Sequence, residues 1–323
     1  MKPKKMNDVI SVIKKGKSFL VGSHVGPDGD AMASSLAMGW GLEQLGKKVV
    51  YFNQDTVPEV LRFLPGSEKV ITELTAKHSF DAAFVMDCGS FKRLGDKFGK
   101  FKGYKKLINV DHHASNDRYG DINYVIDDAA STGEVVWSIL KKSGCKLTSQ
   151  IATNIYCTLV TDTGSFRYSN TDADTLRLAA QMVEAGADPS LVAQNLFESQ
   201  PYEAFVLLGR LLDRLKLSKD KKYSWSVIYQ KDLKETGASY EDTEEFINYP
   251  RAIKSVEVAA LFKEVPDGKY KVSLRSKTDV DVSQICAQFQ GGGHKKAAAC
   301  IISGSFEDVS QKIFSHIEKV LKS

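Results

Sequence analysis

SFLVGSHVGPDGDAMASSLAMGWGLEQLGKKVVYF, residues 18–52, decides the fold. SFLVGS (18–23) is a short apolar run of the kind that makes a buried strand. A Gly-Pro-Asp-Gly turn follows, and then a small-residue and apolar stretch predicts a helix from about Asp30 to Leu45. Gly46 stops that helix in the usual position just past its end. KVVYF (48–52) is the next strand. The alternation continues outward. FDAAFVMD (80–87) and KKLINVD (105–111) are strands that close on an aspartate, and Pro58 opens a short helix ending near Leu64. Ser131-Thr-Gly-Glu134 reads as a capping box starting a helix to Lys142. Further helices start at Ser149 (through Val160), at Asp172 (to Gly186) and at Asp188-Pro189. Strands alternating with helices imply an α/β fold, a mainly parallel, doubly wound sheet with helices on both faces.

The pattern changes after about residue 215. YSWSVIYQ (223–230) has strand propensity, and VEVAALFKEV and KYKVSLRSK flank Pro266-Asp-Gly268 as a hairpin. A short helix near 283–290, the run GGGHKKAAA (291–299), the strand CIIS and a last amphipathic helix (306–321) complete a smaller mixed α/β domain. The expected organisation is a larger α/β domain over 1–190, a helical linker over 191–216 and the smaller α/β domain over 217–323.

Composition narrows the function. With 44 basic against 40 acidic residues, the net charge of +4 is weak for a protein gripping many phosphates of a long strand. A short anionic ligand held by local positive groups is expected instead. Five cysteines without CxxC spacing read as reduced thiols in a cytoplasmic protein. No run approaches the ~18 apolar residues of a membrane span, and no signal-peptide core follows the basic start. Whether the chain forms a homodimer is left open, with helices 149–160 and 201–215 as the candidate surfaces.

Four acid-and-histidine clusters lie at the ends of predicted elements: HVGPDGDA (24–31), MDCG (86–89), NVDHH (109–113) and VTDTGSF (160–166). They offer His24, Asp28, Asp30, Asp87, Asp111, His112, His113 and Asp162. Each cluster alone has a bland explanation as a cap or turn. Together they form a hard-donor set with enough carboxylates for two divalent ions, on a fold that gathers strand ends at one edge. Asp162 ends an apolar helix, where a carboxylate opposes the dipole and wants compensation. In the second domain, Gly291-Gly292-Gly293-His294 with Lys295 and Lys296 combines a free backbone, an anion nest and positive charge.

His-x-x-Pro-Asp-Gly-Asp, the isolated Asp87, Asp-His-His and Thr-Asp-Thr-Gly resemble, in order, the four signature motifs of the DHH phosphoesterase superfamily. The run Gly291–His294, with Arg275 upstream, resembles the glycine-histidine loop of the DHH-associated domain. The pairing and length are most similar to the stand-alone nanoRNase and pAp phosphatase branch. This resemblance implies a two-metal phosphoesterase acting on short oligonucleotides or dinucleotides such as pApA, and on pAp in some members. It implies that His24, Asp28 and Asp87 hold one ion. Asp30, Asp87, His112 and Asp162 then hold the other, with Asp87 shared. Asp111 is expected to fix the imidazole of His112, and His113 to donate to a phosphoryl or leaving oxygen. Arg275, Gly291, Gly292, Gly293 and His294 would bind the nucleotide end across a cleft between the domains. Mixed carboxylate and imidazole donors favour Mn2+ over Mg2+. The rivals are a cyclic dinucleotide (c-di-AMP type) phosphodiesterase, an inorganic pyrophosphatase, a catalytically inactive scaffold of the same fold, and a processive exonuclease on long single strands. Neither a complex with long nucleic acid nor a membrane partner is expected.

Overall fold

A computed structural model describes residues 2–322. The chain divides into two compact units, residues 1–199 and 200–323.

The first unit is built on a six-stranded parallel sheet. Its strands are β1 (Ser18–Gly22), β2 (Lys48–Phe52), β3 (Val70–Ile71), β4 (Ala82–Met86), β5 (Leu107–Asp111) and β6 (Ile122–Val125). The spatial order is β3-β2-β1-β4-β5-β6. The direction of winding reverses between β1 and β4, and in such sheets the crevice past the strand ends at that point is where ligands bind. The helices are α1 (Lys2–Lys15), α2 (Gly29–Gln44), α3 (Gly95–Lys100), α4 (Thr132–Lys142), α5 (Ser149–Asp162), α6 (Ala173–Glu184) and α7 (Pro189–Phe197). One sheet face packs Phe19, Val21, Phe84, Met86, Ile108 and Val110 against α1, α2, α4 and α5. The other packs Leu20, Val85 and Leu107 against α3 and an aromatic layer with Phe80, Phe98 and Phe101. The doubly wound reading therefore holds. The 2-residue β3 and the half-exposed β6 escaped it because neither has a sustained apolar run.

Two local details differ from expectation. Helix α2 starts at Gly29, a residue earlier than expected, with Asp28 as its N-cap, since Asp28 Oδ1 accepts from Ala31 N at 3.0 Å. The segment after Pro58 is a single 3-10 turn, Glu59–Leu61, not a helix to Leu64.

The second unit contains α8 (Tyr202–Asp213), β7 (Lys216–Leu217), β8 (Tyr223–Ile228), α9 (Gln230–Thr236), α10 (Asn248–Ala252), β9 (Val258–Val265), β10 (Lys269–Ser276), α11 (Val282–Ala287), β11 (Gly292–His294), β12 (Ala297–Ser303) and α12 (Phe306–Lys322). Its mixed sheet runs β11-β12-β10-β9-β8-β7. Asp267 and Gly268 both take left-handed φ, 63° and 62°, which makes the tight β9–β10 hairpin. Along β10 burial alternates strictly, so Tyr270, Val272 and Leu274 enter the core with α11 and α12 while Lys271, Ser273 and Arg275 stay half-buried.

The stretch 191–216 is divided between the units. Val192 and Leu196 of α7 pack in the first, and Leu207 and Leu211 of α8 in the second. Helix α5 buries its apolar side chains, whereas α8 leaves Tyr202, Phe205 and Val206 exposed. All five cysteines are buried thiols, and no described helix is long and apolar enough to cross a membrane.

Glycines let α2 and α4 approach α5. A Cβ at Gly133 would lie 1.9 Å from Thr158 Oγ1 and 2.7 Å from its Cβ. Gly133→Ala is therefore expected to destabilise by roughly 1–3 kcal/mol through overpacking. A urea titration would register this as a lower midpoint with an unchanged slope.

Candidate metal centre

The donors of the first unit gather at the carboxyl ends of β1, β4 and β5. His24 follows β1 and is 2 % exposed. Its Nδ1 lies 2.9 Å from the carbonyl oxygen of Val25. A carbonyl only accepts, so in the neutral ring Nδ1 carries the proton and Nε2 keeps its lone pair. That Nε2 stands 3.9 Å from Asp28 Oδ2 and 3.8 Å from Asp87 Oδ2. Capping by Oδ1 leaves Oδ2 of Asp28 for this side. The loop is tied down by Asn53, whose Nδ2 donates to the His24 carbonyl at 2.9 Å and to Ser23 Oγ at 3.1 Å.

His112 repeats the arrangement. Its Nδ1 is 3.1 Å from the Ala129 carbonyl oxygen, which directs Nε2 to Asp162 Oδ2 (3.0 Å), Asp30 Oδ2 (3.6 Å) and Asp87 Oδ1 (3.7 Å). Asp87 thus offers Oδ2 to the His24 group and Oδ1 to the His112 group. It does so from a left-handed backbone, φ 51°, which is costly for a non-glycine residue and is found where function demands it.

Asp30 is fully buried in the first turn of α2. Its Oδ2 accepts from Thr132 N at 2.7 Å and its Oδ1 from Gly133 N at 3.1 Å, the first amides of α4. A helix N-terminus is a natural place for an anion. The Thr132 hydroxyl also donates to Asp87 Oδ1 at 2.8 Å. Thr132 was missed in the sequence, although the Ser131-Thr-Gly-Glu134 pattern that contains it was read as a helix start. That start is confirmed, with Ser131 Oγ accepting from Glu134 N at 3.3 Å.

Asp111 departs from expectation. Its Oδ1 lies 2.7 Å from Nδ1 of His113 and accepts the backbone N–H groups of His112 and His113 at 2.7 and 3.1 Å. It therefore orients the ring of His113, and the Ala129 carbonyl does that service for His112. Two adjacent imidazoles point differently, at 75° between ring planes, so each finds its own orienting acceptor.

After Asp162 the backbone takes left-handed φ at Gly164, Ser165 and Phe166 in succession (56°, 58° and 61°). Thr163 pins this turn, accepting at Oγ1 from Phe166 N at 2.8 Å. The Thr-Gly-Ser-Phe part of the fourth cluster thus shapes the chain beside the carboxylate.

Electrostatics show what the cluster lacks. Burial, then the nearby Asp87 and Asp162, push Asp30 well above the ordinary carboxylate range. Burial likewise raises Asp87, with Asp28 adding to it. For His112 burial acts to lower the pKa, but Asp162, Asp30 and Asp87 outweigh it and raise it well above the imidazole range. These directions mark a site in which carboxylates outnumber positive charge. Within the first unit three donor groups, His24–Asp28–Asp87, Asp30–Asp87–His112 and Asp87–Asp111–His113, have donor atoms within 4.8 Å of one another. Ligands about 2.1 Å from a divalent ion stand roughly 3–4 Å apart, so the first two groups fit such an ion. The third is closed by the 2.7 Å His113–Asp111 contact.

In the second unit, strand register sets Arg275, Ala297 and His294 side by side across β10, β12 and β11. Ala297 between them leaves a shallow floor. The three glycines do different jobs. A Cβ at Gly291 would meet Ala299 O at 2.3 Å, and one at Gly293 would meet Ala297 O at 2.4 Å, so close packing on β12 requires both. Gly292 has open space and is exposed.

Comparison with known proteins agrees with this geometry. Residues 18–159 match the DHH family, N-terminal domain, and residues 220–323 match the DHHA1 domain. A bifunctional oligoribonuclease and PAP phosphatase NrnA of Thermus thermophilus is 30 % identical over 301 residues, 93 % of this chain and 89 % of that protein. This chain belongs to the DHH family. The Bacillus subtilis protein of the same name is 26 % identical, covering 98 % of both chains. The crystal structure of an exopolyphosphatase-related protein from Bacteroides fragilis shares the fold, with TM-score 0.88 at 23 % identity over 98 % of this chain and 96 % of that one.

Raised pKa values of Asp30 and His112 mean that the metal-free native state binds more protons than the unfolded chain. Stability without metal should then fall as pH rises from the ordinary carboxylate range through the raised His112 value. Thermal melts from about pH 5 to pH 8 should show this decline, and divalent ion at ~100 times its Kd should restore ~2.7 kcal/mol at the upper end. A flat profile unaffected by divalent ions would contradict the electrostatic reading.

Proposed function

We propose that this DHH-family chain is a metal-dependent phosphoesterase that hydrolyses short oligonucleotides and dinucleotides such as pApA to mononucleotides, and also acts on pAp. It is a hydrolase of phosphoester bonds. The observation that carries the reading is the placement of the Asp87 carboxylate between two imidazole Nε2 atoms, each with further carboxylates beside it. The names of the Thermus and Bacillus relatives supply the substrate class.

In this reading His24, Asp28 and Asp87 hold one divalent ion, and Asp30, Asp87, His112 and Asp162 hold a second. Two imidazoles among the donors favour Mn2+ over Mg2+. Such a pair, when bound, acidifies water and neutralises phosphoryl oxygens. The protein's own groups do the rest. The α4 amides and the Thr132 hydroxyl hold Asp30 and Asp87 in place. Asp111 holds Nδ1 of His113, which leaves Nε2 as the donor toward a phosphoryl or leaving oxygen. Burial acts to lower His113, but Asp87 and Asp111 raise it overall, which favours the protonated, donating form. Arg275, Gly292 and His294 are proposed to take the nucleotide end of the substrate, with Gly291 and Gly293 shaping the strand that presents them.

A Mn2+-supplemented panel of pApA, short oligoribonucleotides, pAp, cyclic di-AMP and pyrophosphate tests the substrate class. Turnover of pApA and pAp is expected to dominate, and preferential phosphate release from pyrophosphate would overturn the reading. Asp87→Asn removes the shared donor and should cost well over ~100-fold in kcat, more than loss of an outer hydrogen-bond partner. His294→Ala should lower kcat/KM on pApA while leaving Mn2+ affinity intact. Unchanged kcat/KM would remove the second unit from substrate binding.

A further inference from the structure

Behind the shared aspartate lies a buried hydrogen-bond network that joins Cys88 of the second cluster to Asn109 and Asp111 of the third through Asn116 and Tyr119, which lie outside all four. Asp87 is 2 % exposed and its left-handed φ is unfavourable by itself. The next residue, Cys88, has its carbonyl held by three side-chain donors. Asn109 Nδ2 donates to it at 3.1 Å and Tyr119 Oη at 2.9 Å, with a longer contact from Asn116 Nδ2 at 3.4 Å. The second Asn109 Nδ2 hydrogen goes to Tyr119 Oη at 3.1 Å. Asn116 completes the set. Its Nδ2 donates to Asn109 Oδ1 at 2.7 Å and to Asp111 Oδ2 at 2.5 Å, and its Oδ1 accepts from Arg118 N at 2.6 Å.

The network is closed and directional. An amide has two N–H groups, and each of Asn109 and Asn116 commits both. Turning Asn116 over would set its oxygen against the Asp111 carboxylate, acceptor to acceptor, so only one orientation is satisfied. One end of the network fixes the Cys88–Gly89 peptide, one residue past Asp87. The other fixes the oxygen of Asp111 that does not hold His113. Asn109, Cys88 and Asp111 have no solvent exposure and Asn116 has 9 %, and in such a dry setting a fully satisfied network is rigid and costly to break.

We infer that Asn116, Tyr119 and Asn109 are positioning residues for the metal centre, coupling the strained backbone at Asp87 to the Asp111–His113 pair. None of the three is among the residues proposed above to hold an ion or the substrate. They keep the two oxygens of Asp87 aimed at His24 and His112 while the carboxylates repel one another. This inference rests on the two-ion reading above and adds the residues that hold its shared donor.

The test uses the full-length protein stripped of metal and titrated with MnCl2 calorimetrically, alongside kcat and KM for pAp. Tyr119→Phe removes one hydroxyl, and Asn116→Leu keeps the side chain's shape while removing both donors. Both variants are expected to bind Mn2+ about tenfold or more weakly, the usual loss for an outer partner of a metal ligand. At saturating Mn2+ kcat should fall while KM stays within about twofold of the parent, because substrate contacts are intact. A merely structural role would lower Tm and leave the Mn2+ affinity of the folded protein unchanged, and that result would overturn the inference. If Asn116→Leu does not fold, Tyr119→Phe decides by the same criterion. Failure of the parent itself to bind Mn2+ would sink the metal reading and the inference with it, whereas parental affinity in the variants would sink the inference alone.

Discussion

Buried negative charge without an equal positive charge is the constraint on which the first unit depends. Asp30 and Asp87 have almost no solvent contact, and both point at imidazole nitrogens whose opposite ring atoms face backbone carbonyls. That second contact fixes the tautomer, so each ring in its neutral form presents a lone pair toward the carboxylates. Such an arrangement is unfavourable as it stands. It becomes favourable only when a cation, or failing that a proton on His112, enters between them. The α4 amides on Asp30, the Thr132 hydroxyl on Asp87 and the left-handed backbone at Asp87 hold charges together against their repulsion.

The fold supplies the place where this is feasible. The reversal between β1 and β4 opens the carboxyl edge of the sheet, and β1, β4 and β5 each deliver a polar side chain there at or just past the end of a largely buried strand. Tight helix contacts at Gly29 and Gly133 bring the start of α2 and the start of α4 against α5, whose last residue is Asp162. Packing small enough to need glycine thus sets distances between charged groups far apart in the chain.

Much of this was legible in the sequence because the signals are local. A short apolar run gave β1, apolar runs closing on an aspartate gave β4 and β5, and the order of the acid-and-histidine clusters pointed to the family and to side chains that the structure gathers at one sheet edge. What escaped depends on partners distant in sequence. The short β3 and β6 are strands only because the sheet pairs them. Asp111 lies beside both histidines in sequence, and only the geometry assigns it to the ring of His113. Asn116 and Tyr119 look like ordinary loop residues until Cys88 is folded beside them. The Gly291–Gly293 run read as one ligand-binding nest, yet Gly291 and Gly293 are required by the nearby β12 backbone, a demand visible only in the pairing.

Anomalous diffraction at the manganese edge from crystals grown with MnCl2 addresses the centre most directly. Two peaks should flank the Asp87 carboxylate, one shared with His24 and Asp28 and the other with Asp30, His112 and Asp162. No peak at Asp87, or a single ion elsewhere with the Asp87 carboxylate hydrogen-bonded only to protein, would contradict the picture of a shared aspartate holding two cations.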